Sequence, residues 1–149
     1  AISNPGDLEA RGAMLLGSCY AGIAIDNCGT ALAHNISHAL ADLAPIPHGR
    51  ATGLAMLATM EWASSSNASA FARVATAMGA DDAVKAYEKL VRGTGMKVTL
   101  EGDGLDLARP EALAEHMASP ANAPMRKSTA RYPADSELVD LARMVYGLR

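Results

Sequence analysis

The stretch "ALAHNISHALADLAPIPHG", residues 31–49, holds three of the four histidines of a 149-residue chain in surroundings nearly free of other polar side chains. It reads as helix, corner, helix. A helical segment runs from about Gly29 to Leu43 and is stopped by Pro45 and Pro47, which lack the N–H that a helix interior needs. His48 and Gly49 then open a second helix, along which Leu54, Leu57, Met60 and Trp62 recur at helical spacing. His34 and His38, four residues apart, project from one helix face with Cβ atoms about 5–6 Å apart. The corner is short enough to return His48 to the face that bears His34, and Gly49 leaves room there for a ligand or another backbone.

The same pattern of caps and periods extends along the chain. Asp7 is placed to cap a helix reaching about Ala24, and Asn67 caps one ending at Gly79. Asp81 and Asp82 open another, which runs to Gly93. Pro110 suits the first turn of "PEALAEHMA", and Asp135 is read as the cap of "SELVDLARMVYG" after a proline-rich connection over 119–134. Residues 96–106 combine β-branched residues with Asp-Gly and fit either a small hairpin or a loop. The expectation is an all-α domain over residues 1–149, a compact bundle of six or seven helices without internal repeats.

Composition narrows the function. Half the residues are apolar, 19% are charged and the net charge is −3, with one Trp, one Phe and no basic run. Such a chain lacks the electrostatic footprint and stacking platforms of a nucleic-acid binder. The apolar run Ala13–Ile25 is too short to span a bilayer and has no basic flank of a signal peptide, so it reads as core. Cys19 and Cys28 lie in or beside it and read as buried thiols of a reducing, cytoplasmic compartment. The start at Ala1, close to a helical pattern, reads as the beginning of an excised piece.

Imidazoles bind borderline metals and titrate near neutrality, so His34, His38 and His48 suggest a metal site, an acid–base site or both. On the residues alone, any of the three could be the one that is not a ligand. "HNISH" differs from H-E-x-x-H in having Asn35 and no carboxylate, which argues against metal-assisted proteolysis. "GTGMKV" lacks the third glycine of a dinucleotide loop and follows a helix, and Ser18, Ser37 and Ser64–Ser66 have no G-x-S-x-G setting. Met56, Met60 and Met78 read as core filling, and His116 as a solvated surface residue.

Residues 21–62 carry a more specific pattern: A-G-x-A-x-x-N, then H-x-x-x-H, then H-G before a long helix. Ala21, Gly22, Ala24, Asn27, Gly29, His34, His38, His48, Gly49 and Glu61 fall in step with the C-terminal, dehydroquinate synthase-like helical domain of the iron-containing alcohol dehydrogenases, which the chain resembles over nearly its whole length. The resemblance implies that His34 and His48 bind the metal, Fe(II) or in some members Zn(II), and that His38 lines the pocket near nicotinamide and substrate. It implies hydride transfer between a small alcohol or aldehyde and NAD or NADP, with the metal polarising the substrate oxygen. Thr52 and Gly53 depart from the family's usual Asn and Ala, a proline usual near Leu57 is missing, and Ala63 lies where Asn is usual. The family's remaining ligands, an aspartate and a histidine in D-x-x-x-H, and its nucleotide-binding domain would precede Ala1.

The expectation is therefore a metal- and substrate-site fragment, inactive alone and prone to self-association through exposed apolar surface. Two alternatives accompany it. One is a self-contained zinc hydrolase or hydratase with His34, His38 and His48 as ligands. The other is a non-catalytic helical interaction domain.

Overall fold

A computed structural model describes residues 1–149. The chain is all-helical, with eight α-helices and a single 3₁₀ turn, and divides into two compact units, Ala1–Thr30 and Ala31–Arg149.

The first unit is built on α1 (Leu8–Cys28), whose first turn is capped by Asp7 accepting from the Ala10 N–H at 2.9 Å. No residue of α1 is buried, and Leu8, Met14, Leu15, Leu16, Tyr20 and Ile23 are all exposed. This corrects the reading of Ala13–Ile25 as core. Apolar side chains spread around the whole circumference need cover on every side. Cys19 and Cys28 are free thiols as expected, but exposed. No helix of the chain is long and apolar enough to cross a membrane.

The second unit begins with α2 (Leu32–Leu43) and α3 (His48–Ser64), which pack against each other across the proline corner. Ala44 is extended at φ −155°, ψ 152°, and Pro47 at ψ 131°, so neither helix can run on into the other. The first turn of α2 has no side-chain cap of its own; the Leu32 N–H instead donates to Thr129 Oγ1 at 2.9 Å, from a residue 97 positions later. That bond satisfies one of the orphan donors of a helix start.

Next come α4 (Ala68–Ala77) and α5 (Ala83–Gly93), packed on each other and capped by Asn67 and Asp82 as expected. α6 (Pro110–Ala118), the single turn α7 (Ala123–Arg126) and α8 (Leu138–Tyr146) complete the unit. Ile36 and Leu40 of α2, Leu54 of α3, Leu113 and Met117 of α6, and Leu141 and Val145 of α8 form its core. Each such side chain stabilises the fold by about 1.5–3 kcal/mol through burial. Met56 packs against this core, whereas Met78 is exposed.

Polar ties set how α2 meets α6. Asn35, fully buried, donates from Nδ2 to the Met117 carbonyl at 2.9 Å, an acceptor that the end of α6 leaves without a helical partner, and to the Asn122 carbonyl before α7 at 2.8 Å. Asn122 donates to Asp42 and to the His116 carbonyl. His116 corrects a second expectation: it is half-buried, with Nδ1 3.2 Å from Asp42 Oδ2. Asp135 does not cap a helix but pairs with Arg126 at 2.7 Å, and Glu137 reaches back to the Ala134 N–H.

Residues 96–106 form a loop with no strand. Arg50, two positions after His48, donates to the carbonyls of Lys97 and Thr99 and to Asp103 Oδ2 at 2.7 Å, supplying the partners that a hairpin ladder would otherwise give. The Arg50 hydrogen bond, joined by that of Lys97 and by both positive charges, holds the Asp103 carboxyl below its ordinary value of 3.8 against the opposing effect of burial. A depressed folded-state value means that this clamp contributes fully above pH 3.8 and is lost as pH falls through the folded value. Asp103→Asn is accordingly expected to cost about 1–3 kcal/mol near neutral pH. Denaturant unfolding should show the gap between wild type and variant closing as the pH is lowered toward about 2.

Candidate metal and substrate site

The three clustered histidines meet at one place on the second unit. His34 and His38 stand one turn apart on α2, and His48 is the first residue of α3. The ring centroids of His34 and His48 are 5.5 Å apart and tilted; those of His38 and His48 are 5.6 Å apart, edge to face. His34 is half-buried, while His38 and His48 are exposed. Burial first, then the charges of His48 and His38, push the His34 imidazole below its ordinary 6.5. At neutral pH it is thus a neutral ring with a free lone pair, the form that binds metal.

His48 is held from within the bundle. Its Nδ1 lies 3.2 Å from Ser37 Oγ, and the Thr52 hydroxyl donates to the same Ser37 Oγ at 3.0 Å. In the sequence, Ser37 stands out only as a hydroxyl without a hydrolase setting and Thr52 only as a departure from the family pattern. The available signal was spacing: Thr52 follows His48 by one helical turn, and Ser37 sits between the two histidines of α2.

Around the rings, a Cβ built on Gly49 would meet nothing within 4 Å, so this side is open to a ligand. Gly53 is different, because a Cβ there would lie 3.2 Å from Met96 Cε, and the Tyr87 hydroxyl donates to the Gly53 carbonyl at 3.4 Å. The departure at Gly53 lets α5 and the following loop close on α3. A cavity of 620 Å³ between the end of α3, α4 and α5 is lined by Phe71, Asp82 and Glu88 among others and includes none of the three histidines.

Imidazole donors suit Fe(II) and Zn(II), and two rings set this close fit a shared divalent ion. No group of three His, Cys, Asp or Glu side chains is arranged to hold a metal ion.

Comparison with known proteins agrees with the geometry. Residues 1–144 match the model of the C-terminal part of the Fe-containing alcohol dehydrogenase family. The probable alcohol dehydrogenase EutG of Escherichia coli K12 is 31% identical over 114 residues, covering 73% of this chain and 29% of that protein. Its Salmonella typhimurium counterpart is 28% identical over 144 residues, covering 91% and 35%. The mitochondrial hydroxyacid-oxoacid transhydrogenase of Bos taurus is 34% identical over 94 residues, covering 54% and 20%. The chain thus spans about a third or less of the length of these relatives. No solved structure matches it at the level at which they do. The helical architecture, the ordered histidines and the match over residues 1–144 together make this chain a member of the iron-containing alcohol dehydrogenase family, corresponding to its C-terminal domain.

Proposed function

We propose that the chain supplies part of the metal site and the substrate face of an NAD(P)-dependent alcohol dehydrogenase, with His34 and His48 as metal ligands and His38 beside the reacting oxygen. The observation that carries this reading is the convergence of the three rings, with His34 kept neutral by its surroundings. A divalent ion, Fe(II) or Zn(II), held there would act as a Lewis acid toward an alcohol or carbonyl oxygen. His38, exposed and edge-on to His48, would donate a hydrogen bond to that oxygen or accept one from it. The open side at Gly49 admits a small alcohol or aldehyde. The remaining metal ligands and the NAD or NADP site would come from polypeptide outside residues 1–149, so the chain by itself would bind metal weakly and transfer no hydride.

The relatives include both alcohol dehydrogenases and a hydroxyacid-oxoacid transhydrogenase. An uncharged alcohol is the better fit. A hydroxy acid needs a cation for its carboxylate, and Arg50, the cation nearest His48 in sequence, is committed to Lys97, Thr99 and Asp103. A neutral alcohol needs no such partner.

In a full-length protein carrying these residues, His34→Ala and His48→Ala should each lower bound metal and dehydrogenase activity together. His38→Ala should retain the metal while turnover falls by about 10²–10⁴-fold, the range of a lost acid–base group. Metal analysis and NADH formation on the same samples decide it; equal metal loss in all three variants would support three-histidine ligation instead. Primary alcohols should be better substrates than 2-hydroxy acids by kcat/KM, and the reverse order would remove the argument from Arg50.

A further inference from the structure

Ser37 and Thr52 play no part in the reading above, yet they reach His48 from the bundle interior. Ser37 is fully buried on α2. Its Oγ accepts from Thr52 at 3.0 Å and has Nδ1 of His48 at 3.2 Å. A buried hydroxyl whose proton finds no acceptor is costly, so the Ser37 proton goes to Nδ1. In that polarity Thr52 donates to Ser37, Ser37 donates to His48, and the ring hydrogen of neutral His48 sits on Nε2.

A metal ion takes a lone pair. For Nε2 to offer one, the ring hydrogen must move to Nδ1, where it donates to Ser37. Ser37 can then turn its own proton to Thr52, whose half-buried hydroxyl both accepts and donates. Both hydrogen bonds reverse together, the ring exchanges one hydrogen for another through solvent, and the buried Ser37 proton has an acceptor in either polarity. Valine at 52 would have the shape of threonine but would permit the first polarity only.

We propose that Thr52 and Ser37 are positioning residues for His48: a reversible two-hydroxyl relay that holds Nδ1 and makes Nε2 the nitrogen through which His48 takes a divalent metal ion. This rests on the reading of His48 as a ligand. Outer partners of ligating histidines are worth about 10–100-fold in metal affinity.

The test is a Zn(II) titration of the 149-residue chain with ¹⁵N-labelled imidazoles, followed by long-range ¹H–¹⁵N NMR at a pH where the rings are neutral. In the metal-free wild type, His48 should carry its hydrogen on Nε2, and Zn(II) should then bind at Nε2 and move the hydrogen to Nδ1. Thr52→Val should keep the metal-free tautomer but bind Zn(II) about tenfold more weakly. Thr52→Ser should restore wild-type affinity, a rescue that a merely space-filling role for Thr52 would not give. Zn(II) shifting Nδ1 of His48, or binding Thr52→Val as tightly as wild type, overturns the relay while leaving His48 a ligand. Zn(II) that moves other histidine rings and leaves His48 unshifted overturns both the relay and the ligand reading.

Discussion

The site depends on one backbone constraint, the Pro45-Ile46-Pro47 corner. With Ala44 extended and Pro47 fixed near φ −55°, the chain cannot remain helical and must turn before α3 begins at His48. Packing then closes the two helices on each other through Ile36, Leu40 and Leu54. The ring spacings of 5.5 and 5.6 Å are consequences of that packing, because two histidines are fixed to α2 and the third to the first residue of α3. Arg50 secures the same end of α3 by tying it to the 97–103 loop. The core and the candidate site therefore share their scaffold.

Local features were readable from sequence because their causes are local. Asp7, Asn67 and Asp82 accept from N–H groups two or three residues ahead, and Pro110 occupies the first turn of α6. Features decided by distant residues were not readable. The hairpin signal at 96–106 gave way because Arg50, nearly fifty positions earlier, occupies two of its carbonyls. Asp135 was taken from its helix start by Arg126. α1 shows a further limit: apolar content states that a segment gains from burial, but not which residues bury it.

The site divides along the same line. Histidine identity and spacing placed His34, His38 and His48 together, since an i,i+4 pair and a proline corner leave few alternatives. The hydroxyls behind His48 escaped notice because a serine and a threonine on different helices announce nothing until the crossing of α2 and α3 is known. The helices bring His34 and His38 each within about 5.6 Å of His48, ring centroid to ring centroid, a convergence that depends on the crossing of α2 and α3 as much as on the spacing in sequence.

The central proposal is that His34 and His48, and not His38, bind a metal ion in a full-length protein carrying these residues. Anomalous diffraction from crystals of that protein grown with Fe(II) or Zn(II), recorded at the absorption edge of the metal, tests it directly. The account predicts a peak bonded to one nitrogen each of His34 and His48, at the roughly 2.0–2.1 Å usual for imidazole ligation, with His38 outside bonding distance. A peak bonded to all three rings, or one remote from the α2–α3 corner, would contradict it.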